Sequence, residues 1–296
     1  MAIAAAEPGA RAAPGMRRVV LVAIALAGVW AAWVLALDPR QAIPGGDELR
    51  VLGRFLGHAL SPALSYESEF VPDSAPPIAM KALDGARRTV VFAAAAMSIA
   101  MVLGLVLGFL GSTAWWVDDP VGGTTPLVRT LRAAVAPAVY LATRVTITSM
   151  RSVHELLWAV LFLCAIGLNS LSAVIAIAIP YAGTLAKVFS EMIDEAPRDA
   201  AEALRGAGAT PGQVFVFGLV SRALPDMSAY AFYRFECALR SSAIVGFFGP
   251  ETLGKFIKQS WNENHYGEVW TYLYTLFVLI VLLDWWSGAM RRRFVA

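Results

Sequence analysis

Uninterrupted apolar runs of bilayer-spanning length constrain this chain more than any other feature. Residues 19–37 form one such run behind Arg11, Arg17 and Arg18, and as a helix it is long enough to cross the ~30 Å hydrocarbon core of a membrane. A cleaved leader has a shorter apolar centre followed by a small-x-small site, so the run reads as a retained first span. Further apolar segments at 89–111, 153–168, 171–189, 227–248 and 269–286 bring the expected crossings to six. The expected fold is an all-α polytopic membrane protein. A composition of 58% hydrophobic and 16% charged residues excludes an ordinary soluble domain.

Six crossings put both ends of the chain on one side. Arg17, Arg18, Arg198, Arg205, Arg222 and the run Arg291, Arg292, Arg293 share that side, which the positive-inside rule makes cytoplasmic. Arg40, Arg50, Arg54, Lys81, Arg87 and Arg88 in the first connection weaken the bias, and five crossings would separate the ends. On the six-span reading, residues 1–18 are a cytoplasmic tail, 19–37 the first transmembrane helix and 38–88 an external connection. Residues 89–296 are then the main transmembrane domain, with a cytoplasmic loop at 190–225. In the connection, Leu49, Leu52, Phe55, Leu56, Ala59 and Leu60 recur at helical spacing and predict a helix over 47–66 lying along the membrane surface.

A net charge of +2 with dispersed basic residues excludes a nucleic-acid binder. Cys164 and Cys237 lie in apolar segments and read as small buried hydrophobes, not as a disulfide or metal pair. The Ala- and Gly-rich run 89–111 predicts close helix packing, with Trp115 and Trp116 at its far interface. Arg129, Arg132 and Arg144 make 127–151 a tilted or partly cytoplasmic lead-in that continues into the third crossing. Pro180 predicts a kink in the fourth, and Tyr266, Trp270, Tyr272 and Tyr274 read as an aromatic belt entering the last.

The segment 197–225 interrupts this pattern. Pro197 suits a first helical turn, Asp199 and Glu202 favour the N-terminal dipole, and Gly206 and Gly208 provide a flexible end. Thr210 as N-cap, Pro211 at the first helical position and Gln213 as capping-box partner start a second helix at once. The product is a helix, a glycine elbow and another helix. It resembles the EAA loop of ABC importer permeases, with Glu202, Ala203 and Leu204 in the first three places and Gly208 at the glycine. The usual place of a Leu-Pro pair holds Val220 and Ser221, with Leu224 and Pro225 four residues later.

Two further segments resemble phosphonate-type uptake permeases. One is Arg151-Ser-Val-His-Glu-Leu-Leu-Trp, in which His154 stands at a proline position; the other runs from Tyr230 to Ser242 and includes Arg234, Glu236 and Arg240. The glycine-rich stretch 246–254 resembles the loop at the outer mouth, with Gly246, Gly249 and Gly254, while Pro250, Glu251 and Thr252 depart from the pattern. The resemblance implies a type I (MetI-like) permease core in a bacterial cytoplasmic (inner) membrane, without a cofactor. It assigns contact with a cytoplasmic ABC ATPase dimer to Glu202, Ala203, Leu204, Arg205, Gly206 and Gly208. Other implied partners are an extracytoplasmic solute-binding protein and a second permease subunit, a related different chain being favoured over a homodimer. The implied solute is a phosphonate or a related phosphorus oxyanion.

Arg234, Glu236 and Arg240 have physical content of their own. An unpaired charge inside a span costs at least ~2.5 kcal/mol, so these side chains must face protein or water. Glu236 and Arg240 are four apart with the acid first, the favourable order for an ion pair on one helix face. Two readings stay open: the face lines an anion path together with Ser241 and Ser242, or the charges tie this helix to its neighbours.

Other functions fit less well. His58, His154 and His265 are far apart, and no HExxH or GxSxG pattern supports a membrane-embedded enzyme. No pair of related halves with matching broken spans suggests a secondary transporter. Without a GK[ST] phosphate loop, ATP would be bound by another chain.

Overall fold

The computed structural model describes residues 14–35, 45–68, 72, 74–117, 126–167 and 169–295, which contain helices and no strand. The chain divides into two units, residues 1–56 and 57–296. The first holds α1 (Pro14–Val34) and nearly all of α2 (Gly46–Gly57). Most of the tail at 1–18 and the start of the first connection lie outside the described residues. Leu21, Leu26 and Trp33 of α1 are exposed, as suits a helix bathed in lipid. α2 is shorter than the helix expected over 47–66: it passes into a single 3-10 turn, His58–Leu60, just ahead of Pro62. Asp47 and Glu48 in its first turn and Arg54 in its last complement the helix dipole.

The second unit is built on α3 (Ile78–Gly111) and α7 (Ser170–Glu195), which share its most extensive helix contact. Small residues make that seam. A Cβ at Gly104 would lie 2.8 Å from the Leu185 Cβ, and one at Gly108 would lie 3.2 Å from the Ala186 carbonyl oxygen. Ala93, Ala96 and Ala100 are fully buried, as are Ala182 and Ala186. In lipid, where apolar burial gives no drive between helices, such backbone-level van der Waals contact is what joins them. The expected close packing of the Ala- and Gly-rich run is therefore present.

α3 begins well before the apolar run because its first turns are polar and self-paired: Asp84 meets Arg88 at 2.7 Å and Arg87 at 3.2 Å. After α3 comes the short α4 (Thr113–Val117), then α5 (Pro126–Ser152) and α6 (Glu155–Ile166). The lead-in expected at 127–151 does not share an axis with the segment expected as the third crossing. The chain bends by 91° between the two helices. His154 is the cause: its backbone is extended, and its Nδ1 accepts the Leu156 N–H at 3.2 Å, so a new helix is capped and started there. Gly167, at φ +94°, then ends α6, and the Asn169 side chain caps α7 through the Ser172 N–H at 2.7 Å. α7 runs unbroken through Pro180.

Beyond α7 lie α8 (Asp199–Gly206) and α9 (Pro211–Gln213). α9 continues through a π-helical stretch, Val214–Val220, into α10 (Ser221–Val245), so no break separates the expected loop from the fifth crossing. α10 packs against α3, α7 and α12 (Tyr266–Val295), and α11 (Leu253–Asn262) lies between α10 and α12 in the chain. α3, α7 and α12 are long and apolar enough to cross a membrane, and the bent pair α5–α6 makes a fourth candidate.

Two local expectations, one on the aromatic belt and one on Cys164, are corrected. Tyr272 is fully buried and Tyr266 nearly so, both held inside the protein and not in an interfacial belt. Trp115, half-buried, packs against the edge of the core beside Phe109 and Phe215. Cys164 is exposed, while Cys237 is half-buried; both are free thiols.

Candidate functional site

The expected helix-elbow-helix forms. Asp199 and Glu202 sit in the first turn of α8, and Pro197 precedes this turn instead of occupying it. At the other end the Gly208 N–H donates to the Arg205 carbonyl and the Ala209 N–H to the Leu204 carbonyl, each at 3.0 Å. These are the two bonds of a Schellman cap, and Gly208 takes the left-handed backbone it requires, at φ +80°. The chain restarts with Thr210 extended, and the Gln213 side chain accepts the Thr210 N–H at 2.9 Å.

The two helices of the elbow pack together where Ala201 meets Gly218. Ala201 is completely buried, and a Cβ at Gly218 would stand 2.9 Å from its Cα. That contact fixes which residues face outward: Glu202, Ala203, Arg205, Gly206 and Gly208 are exposed, while Leu204 is half-buried against the core. Ala201 and Gly218 both lie outside the EAA-like pattern of Glu202, Ala203, Leu204 and Gly208, so the sequence motif does not single them out. The signal was present as a small residue on each facing helix.

The elbow is rooted in the bundle. Phe215 of the π-helical stretch is buried edge-on against Phe109, at 5.0 Å, and against Trp115, at 5.3 Å. At the end of α7 the Asp194 carboxylate accepts the Ser112 hydroxyl at 2.6 Å and the N–H groups of Thr113 and Ala114 at 3.0 and 2.9 Å. It thereby caps α4 and binds α3 and α4 to the helix that leads into the elbow. Beside the elbow, Glu195, Arg222, Asp226, Tyr230 and Arg291 contribute polar groups to a cleft of about 570 Å³ that Met192, Pro197 and Ala223 also line.

The structure separates the five residues singled out on α10. Arg240 pairs with Glu236, as the spacing requires. Ser242, almost wholly buried, donates to the Thr89 carbonyl at 2.9 Å and ties α10 to α3. Ser241 joins a different network. Its hydroxyl donates to Glu155 of α6 at 2.9 Å and lies 3.0 Å from the Tyr181 hydroxyl of α7. The Arg234 guanidinium carbon stands 4.6 Å from the centroid of the Tyr181 ring. Tyr181 and Glu155 were not visible as partners, since only the bend at His154 brings the start of α6 to α10.

At the opposite end of α10, the loop 246–254 folds tightly. Gly254 meets the Ala243 carbonyl and Gly246 meets Thr252, both too closely to admit a Cβ, and Gly249 has φ +134°. Residues that depart from the family pattern have work here: Glu251 pairs with Arg88 of α3 at 2.7 Å, and Thr252 is buried next to the Leu253 N–H, which donates to Thr89 Oγ1 at 3.2 Å. A hollow of about 540 Å³ opens between this loop and Lys255 and Lys258 of α11.

The family model of the binding-protein-dependent transport system inner membrane component matches residues 3–295. The chain belongs to that family. It is an ABC importer permease, an integral membrane component without chemistry of its own. It is 29% identical over 206 residues to a phosphite transport system permease protein of Stutzerimonas stutzeri, covering 70% of this chain and 68% of that one. It is 27% identical over 266 residues to a phosphate-import permease protein of Mycolicibacterium smegmatis, covering 90% of this chain but 44% of the relative. Among solved structures, the MetNI methionine ABC transporter in inward-facing conformations matches with a TM-score of 0.58 at 21% identity, over 73% of this chain and 96% of that one, which establishes the permease fold.

Proposed function

We propose that this permease is the transmembrane subunit of an ATP-driven importer that carries a phosphonate, phosphite or related phosphorus oxyanion across a bacterial cytoplasmic membrane. The observation that carries the coupling half of this reading is the elbow: a rigid, glycine-capped turn with Glu202, Ala203, Arg205, Gly206 and Gly208 outward and its base anchored by Asp194 and Phe215. Small outward residues let another backbone approach closely, and Glu202 can pair with a basic residue there. An ATPase dimer seated on this face would transmit its closure through Ala201 and Phe215 to α3, α7 and α10 as rigid-body motion.

In this arrangement α1, α3, the bent pair α5–α6, α7, α10 and α12 make six crossings, and both termini are cytoplasmic. ATP is hydrolysed on the separate ATPase. A binding protein delivers solute at the loop holding Gly246, Gly249 and Gly254, and a second permease chain, a related different one in preference to a second copy, completes the pathway. The relatives' names supply the solute class.

Purification from native membranes tests the reading. An ATPase should accompany the permease, and cells should take up labelled phosphite or phosphate only while that ATPase is active. Full uptake by the permease alone in liposomes would instead identify a secondary transporter.

A further inference from the structure

Of the three charges in the middle of α10, two cancel and one does not. Arg240 is paired with Glu236 on its own helix, so together they bring no net charge to the bundle. Arg234 is different. Among the described residues it has no carboxylate at ion-pair distance, and its Nε is buried without a hydrogen-bond partner. Glu155, the carboxylate beside Tyr181, is engaged by Ser241 at 2.9 Å and lies 3.7 Å from His154 Nε2.

The manner in which Arg234 is held explains how it can stay unpaired. Ser241 has one proton to give, and it goes to Glu155, so Tyr181 must donate its own proton to Ser241. That fixes the Tyr181 ring, whose face receives the guanidinium at 4.6 Å. A cation held over a ring face is attracted electrostatically without an acceptor atom for its N–H donors. A carboxylate partner would consume them. The arrangement spans three helices, with Glu155 on α6, Tyr181 on α7 and Ser241 and Arg234 on α10.

We propose that Arg234 is the residue of α10 that binds the migrating anion, a phosphorus oxyanion taken in the bidentate manner natural to a guanidinium. Tyr181 acts as its positioning residue, and Arg240, Glu236 and Ser242 hold the helix in place. The proposal rests on the solute class proposed above and names the group that meets it.

The test uses the whole transporter in cells, with labelled phosphite, phosphate and methylphosphonate as probes over a range of concentrations. Arg234→Gln is expected to lower uptake at limiting solute at least ~10-fold, the loss that accompanies removal of one charged hydrogen-bonded anchor. The amount of permease recovered with its ATPase should stay unchanged. Arg234→Lys keeps the charge without the planar fork and should raise KM more than it lowers the maximal rate. Where Arg234→Gln does not assemble, Arg234→Lys decides, and an unchanged KM overturns the proposal. Wild-type uptake by an assembled Arg234→Gln transporter overturns this proposal alone. Absence of uptake of phosphite, phosphate and methylphosphonate by the wild-type transporter overturns the solute class and this proposal with it.

Discussion

Ala201 on α8 and Gly218 in the π-helical stretch meet so closely that a methyl group on residue 218 would stand 2.9 Å from the Ala201 Cα and 3.2 Å from its backbone nitrogen. The contact is backbone against backbone, so neither residue can yield by changing a rotamer. Gly218→Ala should therefore splay the elbow at a cost of about 1–3 kcal/mol, the usual range for overpacking a tight site. ATP hydrolysis by the purified complex should then run without solute uptake, while the permease still inserts.

Gly208 gives a different test because its surroundings are open: nothing lies within 4 Å of a Cβ built there. The constraint is conformational. A left-handed backbone costs an ordinary L-residue about 1–2 kcal/mol, whereas asparagine tolerates it. Gly208→Val should weaken the coupling of hydrolysis to uptake more than Gly208→Asn does, since both add bulk to the docking face and only valine also strains the backbone. Equal damage from both would point to a direct steric role of residue 208 at the ATPase.

Asp194 accepts three hydrogen bonds from the α3–α4 junction. Asp194→Ala should lower the stability of the complex by about 2 kcal/mol, since hydrogen bonds to a charged acceptor are each worth ~1.5–3 kcal/mol and the site is half open to water. Ser112→Ala removes one donor and should cost about 1 kcal/mol. Thermal unfolding in detergent reads both.

Tyr181→Phe and Tyr181→Leu separate the two tasks of that side chain. The phenylalanine keeps a ring beneath Arg234 but loses the hydrogen bond to Ser241 that fixes it, which should cost about 1 kcal/mol of stability and lower uptake at limiting solute only modestly. The leucine removes the ring face and should lower uptake strongly at limiting solute.

Much of this was legible where the signal is local. Thr210, Pro211 and Gln213 state a helix start through capping chemistry, and the pairing of Glu236 with Arg240 follows from one turn of helix. The alanines and glycines of α3 announce a close seam, although not that its partner would be Ala182, Leu185 and Ala186 of α7. Features decided by distant contacts were not legible. The bend between α5 and α6 depends on His154 capping a new helix while Glu155 finds Ser241, far away in sequence. Tyr272 looks like an interfacial aromatic by composition, but Ile78, Ala82, Ala86 and Leu253 gather around it in a small second core. The π-helical stretch, in which Gly218 closes on Ala201, left no local trace that the sequence reading used.

The central claim is that the outward face of the elbow seats on a cytoplasmic ATPase, and Ala203 is the place to ask. In a background with Cys164→Ala and Cys237→Ala, the Ala203→Cys permease would be expressed with its complete transporter and treated in cells with a membrane-impermeant thiol reagent, then with a short thiol cross-linker in opened membranes. The account predicts no labelling from outside and a cross-link to the ATPase chain in the assembled complex. Labelling of intact cells at residue 203, or an assembled complex in which this residue reaches no ATPase, would contradict it.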